Sequence, residues 1–144
     1  MRIHELGHVV LYVSDLKRSA DFYRDTLGFN EIHRDAQVAL YSSGRTHHEL
    51  LLIEVGGEAE RKDGPGFYHM GFKIGDGPQA IKDVHKELKE KGVPIVGSAD
   101  HGVTYSLYIT DPDGNEIELY SDVSDEWKRN PKLILAPTRP LRLD

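Results

Sequence analysis

Two histidines, a tyrosine and a glutamate lie at strand-like positions from which they could form one site. His8 opens the run HVVLYV, His69 lies in YHMGFKI, and Tyr108 and Glu118 lie in YSLYITDPDGNEIELY. A strand histidine alone is more often a hydrogen-bonded structural residue than a ligand. Two imidazoles and one carboxylate, however, occupy half of an octahedron and leave adjacent positions for a bidentate substrate and dioxygen. We therefore predict a metal site of His8, His69 and Glu118 for Fe(II), with Mn(II) as the alternative ion.

A predicted hairpin over residues 105–120 would position Tyr108 and Glu118. Residues 111–115 (DPDGN) favour a turn, because proline presets φ while glycine and asparagine tolerate a positive φ. Side chains alternate between the faces of a strand, so one face of this hairpin is aliphatic and the other polar. The polar face carries Ser106, Tyr108, Glu118 and Tyr120.

The order of predicted elements repeats once along the chain, which indicates a duplicated βαβββ unit. The first copy contains strands at His8–Val13, Val38–Tyr41 and His48–Val55 and a helix at Arg18–Leu27, ended by Gly28. The second contains a strand at Tyr68–Ile74, a helix at Pro78–Lys91 ended by Gly92, and the hairpin. The aliphatic run Leu50–Ile53 predicts burial on both faces of its strand.

We therefore expect an α+β fold of paired βαβββ modules whose curved mixed sheets form a cup. The expected domain spans residues 1–121, with modules at about 4–56 and 67–121, a linker at 57–66 and a C-terminal extended arm at 122–144. Strand parity places His8 and His69 on faces that line this cup. The remaining histidines His4, His33 and His85 are expected on the surface or on a helix face.

The composition excludes several classes of function. The chain has 144 residues, a formal net charge of −6 and no cysteine. A nucleic-acid surface needs a clustered basic patch, which is absent from this sequence, and disulfides and thiolate sites are excluded. Since residues 1–5 resemble neither a signal peptide nor a membrane span, we expect a cytoplasmic protein without a membrane partner.

Three segments resemble the vicinal oxygen chelate superfamily, which includes glyoxalase I, fosfomycin- and bleomycin-resistance proteins and type I extradiol dioxygenases. They are HVVLYVSDLKRSADFYRDTLGF, YHMGF and DPDGNEIELY, within a resemblance that covers residues 4–121. The resemblance implies a metal held in a cup between paired βαβββ modules. The positions that match its ligand motifs are His8, His69 and Glu118.

Three further features resemble the extradiol branch in particular. Tyr108 precedes Glu118 by ten residues, Asp100–Val103 (DHGV) resembles a His-Gly segment, and His48–Leu52 (HELLL) resembles a His-Asp-aliphatic segment. The resemblance implies Fe(II)-dependent ring cleavage of a catechol-type diol by O2. His48 would then handle protons, while His101 and Tyr108 would hydrogen-bond the substrate oxygens.

Two other functions stay open. A glyoxalase-type isomerase or lyase would use Zn(II) or Ni(II) with a fourth ligand from the first module, supplied by Glu49 or Glu54. Strand alternation predicts that an inward Glu49 would turn His48 outward, and that only one of His47 and His48 enters the cup. A bleomycin-resistance-like binding protein would perform no chemistry and would not need the ligand set.

The C-terminal arm is predicted to contain a helical turn at Asp125–Lys128 but no long helix, because Pro131, Pro137 and Pro140 forbid one. Trp127 and the run Leu133–Leu135 need burial. They could pack outside the sheet, over the mouth of the cup or against a second subunit, and we expect a homodimer.

Overall fold

The computed structural model describes residues 1–143 as a mixture of strands and short helices. In chain order these are β1 (Val9–Val13), α1 (Leu16–Asp21), a π-helical turn (Phe22–Thr26), β2 (Asn30–Arg34), β3 (Val38–Ser42), β4 (Leu50–Glu54), β5 (His69–Asp76), α2 (Gly77–Glu90), β6 (Gly97–Asp100), β7 (Thr104–Thr110), β8 (Glu116–Asp122) and two 3₁₀ helices (Glu126–Lys128 and Pro131–Leu135). The predicted α+β class is confirmed. No helix within residues 1–143 is both long and apolar enough to cross a membrane.

The chain divides into two compact units. Unit 1 contains residues 1–61 and 112–114, and unit 2 contains residues 62–111 and the chain from Asn115 onward. Unit 1 holds a four-stranded sheet with the order β1-β4-β3-β2, and unit 2 holds one with the order β5-β8-β7-β6. In each sheet the first and last strands of the unit pair in parallel, and the others pair antiparallel. Because the sheets of both units have this topology, the predicted arrangement of two βαβββ modules is confirmed.

In unit 1, α1 covers one face of the sheet and leaves the other face open. Asp15 caps α1, because its Oδ1 accepts a hydrogen bond of 2.8 Å from the Arg18 backbone N–H. The helix buries Leu16 and Ala20. On the opposite face, Val10 and Tyr12 of β1 are 44% and 71% exposed.

Several predictions for unit 1 are wrong in detail. The first helix begins at Leu16, and its second half is π-helical. β4 begins at Leu50 instead of His48, and only Leu50 and Leu52 are buried, so its second face is partly exposed. β2 is missing from the sequence-based prediction, because the register shift between Glu31 and His33 breaks its alternation.

In unit 2, α2 packs on the aliphatic face of the sheet. Ile81 and Leu88 of α2 are buried, as are Ile117 and Leu119 of β8. The helix ends before Gly92, which has a φ of 67°. Along β8 the burial alternates at every residue, so the predicted separation into an aliphatic and a polar face is confirmed.

Chain reversal between β7 and β8 depends on a side-chain bridge within the predicted turn. The Asp111 carboxylate accepts hydrogen bonds from the backbone and the side-chain amide of Asn115, at 2.8 and 2.9 Å. Gly114 has a φ of 82°, which favours glycine at this position. The turn therefore sets the register that places Tyr108 opposite Glu118.

The C-terminal segment, residues 123–143, contains the two 3₁₀ helices and then pairs with β6 at one position, Asp100. Asp100 and Arg139 exchange two backbone hydrogen bonds of 2.9 Å, and Arg139 also pairs with the Asp100 carboxylate at 3.2 Å. The predicted helical turn near Trp127 is confirmed as a 3₁₀ helix. The segment lies toward the polar face of the unit 2 sheet, where it shares a cavity with β8.

Candidate metal centre

His69 and Glu118 lie side by side on the polar face of unit 2. Parallel pairing of β5 with β8 places Gly71 opposite Glu118 and His69 opposite Glu116. His69 Nε2 lies 3.2 Å from Glu118 Oε2. Among the described atoms the buried His69 Nδ1 has no hydrogen-bond partner, since the nearest carboxylate oxygen, Glu116 Oε1, is 3.5 Å away. A divalent cation shared by His69 and Glu118 would bind Nε2 and Oε2, since these are the atoms that face each other, and an imidazole nitrogen with a carboxylate oxygen suits such an ion.

Two hydroxyl groups of β7 approach the other oxygen of Glu118. Ser106 Oγ donates to Glu118 Oε1 at 2.6 Å, and the Tyr108 hydroxyl lies 3.4 Å from the same oxygen. Ser106 is fully buried. The sequence-based prediction assigns no role to Ser106. Ser106 lies two residues before Tyr108 on β7, and this spacing is the signal that could have placed its hydroxyl near Glu118.

His101 connects Tyr108 to the C-terminal segment. His101 Nε2 lies 2.9 Å from the Tyr108 hydroxyl, and His101 Nδ1 lies 3.2 Å from Thr138 Oγ1. Burial, followed by the charge of Glu118, raises the pKa of Tyr108 to about 12. The phenol therefore keeps its proton at neutral pH and can act as a hydrogen-bond donor.

In unit 1, His8 and His48 are neighbours. Their ring centroids are 4.6 Å apart, and His47 Nδ1 lies 2.6 Å from His48 Nδ1. Since β4 begins at Leu50, strand alternation does not separate His47 from His48, and the prediction that it would is wrong. Burial, followed by the neighbouring imidazoles, lowers the pKa of His48, which leaves its ring neutral and able to accept a proton.

Both candidate carboxylates of unit 1 have structural partners. Glu49 accepts hydrogen bonds from the Ser43 backbone N–H and hydroxyl at 2.8 and 3.1 Å. Burial alone would raise the pKa of Glu49, but the hydrogen bonds from Ser43, together with those from Ser42 and Thr46, outweigh it and the pKa is lowered. Glu54 accepts a hydrogen bond of 2.7 Å from the Leu16 backbone N–H at the start of α1.

The predicted ligands divide between the units, with His8 in unit 1 and His69 and Glu118 in unit 2. Within the described part of the chain, no group of three or more histidine, aspartate and glutamate side chains is arranged to hold a metal ion. The three-residue ligand set therefore stays a prediction. His4 and His33 are exposed, and His85 lies partly exposed on α2.

A cavity of about 360 Å³ opens beside Glu118 in unit 2. One side of it is β8 with the neighbouring Val103 and Thr104, and the other side is the C-terminal segment. The cavity lies along the polar face of the sheet beyond Glu118, and the sequence-based prediction does not include it.

The relatives of this chain among known proteins include two kinds of enzyme. Catechol-2,3-dioxygenase of Bacillus subtilis (strain 168) is 33% identical over 136 residues, which are 89% of this chain and 46% of that protein. The probable lactoylglutathione lyase of Synechocystis sp. is 30% identical over 127 residues, which are 79% of this chain and 92% of that protein. This chain thus spans about half the length of the dioxygenase and nearly the whole length of the lyase.

A solved structure and a family model agree with the fold. The crystal structure of a glyoxalase/dioxygenase from Nostoc punctiforme superposes with a TM-score of 0.69 at 23% identity, covering 84% of this chain and 92% of that one. The model of the Glyoxalase/Bleomycin resistance protein/Dioxygenase superfamily matches residues 5–119. The relatives identify the superfamily, but they do not distinguish ring cleavage from isomerisation as the reaction of this chain. This chain belongs to the Glyoxalase/Bleomycin resistance protein/Dioxygenase superfamily.

Proposed function

We propose that this protein is an Fe(II)-dependent extradiol dioxygenase that cleaves a catechol-type aromatic diol with O2. The observation that carries the proposal is the cluster of Glu118, Tyr108 and His101 on the polar face of unit 2. The Tyr108 hydroxyl lies 3.4 Å from Glu118 and 2.9 Å from His101. A protonated phenol beside a metal-ligating carboxylate can donate to an anionic substrate oxygen, which ring cleavage requires.

In this proposal His8, His69 and Glu118 hold the metal ion. Two neutral imidazoles and a carboxylate suit Fe(II), with Mn(II) as the alternative. A bound Fe(II) would hold both diol oxygens and activate O2, so that the carbon–carbon bond next to the diol breaks and both oxygen atoms enter the product. The contact of 3.2 Å between His69 and Glu118 supports their role as a ligand pair.

The other residues bind the substrate and move protons. Burial and the imidazoles of His47 and His8 lower the pKa of His48, so that its ring is neutral and has a nitrogen available to accept a proton from a diol hydroxyl. Tyr108 donates its hydroxyl proton in a hydrogen bond to the substrate oxygen. His101 holds the Tyr108 phenol in place through its Nε2 and belongs with Tyr108 in the catalytic group.

An isomerase of the lactoylglutathione lyase type is the second candidate, because a relative of that name matches at similar identity over nearly its whole length. Such an enzyme would use Zn(II) or Ni(II) and a fourth ligand, either Glu49 or Glu54. Both carboxylates are engaged by backbone N–H groups of unit 1, which favours the three-ligand dioxygenase. A binding protein without metal is the third alternative.

The test is anaerobic reconstitution with Fe(II), followed by oxygen uptake with a panel of catechols. We expect one O2 consumed for each yellow, ring-opened product. The same preparation, loaded with Zn(II) or Ni(II), is assayed for isomerisation of a hemithioacetal. Isomerisation without oxygen uptake would overturn the proposal, and a folded protein that retains no stoichiometric metal would favour the binding protein.

The His69→Ala variant is the control for the ligand set. We expect it to lose Fe(II) and oxygen uptake together, while His85→Ala on α2 keeps both. Sedimentation of the reconstituted protein tests the predicted homodimer independently of activity.

A further inference from the structure

Arg45 binds the backbone of the segment that leads into His8. Its Nη2 donates to the backbone oxygens of Leu6 and Gly7, at 3.1 and 2.8 Å. Its Nη1 lies 2.9 Å from a carboxylate oxygen of Glu5. Three consecutive residues therefore contact one guanidinium group, and the last of them, Gly7, adjoins His8 in the chain.

His8 itself lies just outside the first strand. β1 begins at Val9, whose backbone N–H donates to the Glu49 carbonyl oxygen at 2.8 Å. Residues 1–8 are exposed. Because terminal segments are poorly ordered unless they are tied down, the backbone of His8 needs an attachment on each side. The pairing of Val9 is one attachment, and the guanidinium of Arg45 on Gly7 is the other.

Arg45 is in turn held by the loop that carries His48. Arg45 Nε lies 3.6 Å from Glu49 Oε1, and the same oxygen accepts a hydrogen bond of 3.1 Å from the Ser43 hydroxyl. The guanidinium thus links this loop to the segment before His8. The two imidazoles on either side of the link have ring centroids 4.6 Å apart. One side chain therefore connects the predicted metal ligand with the predicted proton acceptor.

A guanidinium group suits this position better than an ammonium group would. Arginine presents its donors in a planar, rigid fork, whereas lysine is a flexible point charge. The three nitrogens of Arg45 face different partners, and two of the acceptors are neutral carbonyl oxygens. These two bonds depend on where the donors point more than on the net charge. Lysine at this position should therefore restore the charge without restoring the attachment.

We propose that Arg45 is a positioning residue that holds His8 ready to bind the metal ion, beside His48. The inference rests on the proposed function only in taking His8 as a metal ligand. Arg45 acts through the backbone before His8 and contacts neither substrate nor metal in this role. By fixing that backbone in advance, it removes a loss of conformational freedom that would otherwise weaken metal binding.

Arg24 supplies a matched control within unit 1. Its guanidinium is 43% exposed, against 41% for Arg45, and it pairs with the carboxylates of Asp21 and Asp25. Arg45→Ala should bind Fe(II) about tenfold more weakly in competition with a chelator, since ordering the backbone of one residue costs about that factor. Arg45→Lys should stay within about threefold of Arg45→Ala. Arg24→Ala should stay within about twofold of the native protein.

A protease specific for glutamate reports the same attachment without metal. Cleavage after Glu5 requires Leu6 and Gly7 to leave the guanidinium, and every variant keeps Glu5. In the metal-free, full-length protein we expect Arg45→Ala to lose residues 1–5 at least about tenfold faster than the native chain, measured by mass. Arg24→Ala should be cleaved there at the native rate. Thermal unfolding verifies that each variant is folded.

The outcomes separate this inference from the proposed reaction. Native Fe(II) affinity or native cleavage after Glu5 in Arg45→Ala overturns the positioning role, even if the native protein cleaves catechols. Full recovery of Fe(II) affinity in Arg45→Lys overturns it as well, because a point charge would then suffice. Weaker Fe(II) binding and faster cleavage in Arg45→Ala, in a protein that cleaves no catechol, support the positioning role and overturn the dioxygenase.

Discussion

Removing the Ser106 hydroxyl should weaken metal binding without disturbing the fold. Ser106 Oγ donates to Glu118 Oε1 at 2.6 Å, and Ser106 is fully buried on β7. The second hydroxyl near that oxygen, from Tyr108, is at 3.4 Å and cannot replace so short a bond. In Ser106→Ala the Glu118 carboxylate therefore loses its strongest fixed donor.

The expected magnitude follows from the charge of the acceptor. A hydrogen bond to a charged group contributes about 1.5–3 kcal/mol, and about 1.4 kcal/mol corresponds to a factor of ten in affinity. We expect the metal affinity of Ser106→Ala to fall about 10- to 100-fold, as is usual when a group that orients a ligand is lost. Competition with a chelator of known affinity for Fe(II) measures this change.

Ser121 provides a matched control within the same sheet. It is as buried as Ser106, but its hydroxyl makes no hydrogen bond to any described residue. Ser121→Ala should leave both metal affinity and thermal stability unchanged or slightly improved. The reasoning is refuted if Ser106→Ala keeps the native affinity within twofold, or if Ser121→Ala loses as much affinity as Ser106→Ala.

Three further predictions concern Tyr108 and Glu54. Tyr108→Phe should slow ring cleavage at least about tenfold while Fe(II) content stays native, and loss of metal would show that the role of Tyr108 is misassigned. Difference absorbance between native protein and Tyr108→Phe should place the phenolate near pH 12, above the usual value of 10. Because the folded pKa is the higher one, the stability that Tyr108 contributes is complete below pH 10 and is lost as the pH rises toward 12. Glu54→Gln should lower the free energy of unfolding by about 1 kcal/mol, since it weakens the cap at Leu16, and metal content should not change. Loss of metal from Glu54→Gln would instead identify Glu54 as a ligand.

Strand periodicity predicts the polar and aliphatic faces of the hairpin but not every strand. Polar and apolar residues alternate from Ser106 to Thr110 and from Glu116 to Leu119, so Tyr108 and Glu118 could be placed on one face from sequence alone. β2 (NEIHR) and β6 (GSAD) carry too little apolar alternation to be recognised. Those two strands form because neighbouring strands offer hydrogen bonds to them, which is a tertiary effect.

The partners of the predicted residues depend on strand register and strand ends. Ser106 reaches Glu118 because the 111–115 turn places Tyr108 opposite Glu118, a register that composition alone does not determine. His48 lies beside His8 because β4 begins two residues after it. The sequence indicates a strand there without locating its first residue.

The position of the C-terminal segment is the least predictable part of the site. Its prolines exclude a long helix, but three packing positions fit that composition equally well. The long-range pairing of Asp100 with Arg139 holds the segment against the sheet of unit 2 and brings Thr138 to His101. Such contacts between distant parts of the chain leave no periodic signal in the sequence.

The carboxylates of unit 1 provide the strongest argument for three protein ligands. For Glu49 to become a fourth ligand, it would have to give up two hydrogen bonds from Ser43, and Glu54 would have to leave the N-terminus of α1. A hydrogen bond to a charged group contributes about 1.5–3 kcal/mol. Release of Glu49 would therefore cost several kcal/mol, and release of Glu54 would weaken the start of α1. A three-ligand site requires neither loss and leaves positions open for both diol oxygens and O2. The hydrogen bonds of Glu49 and Glu54 therefore support the proposed ring cleavage over the alternative isomerisation.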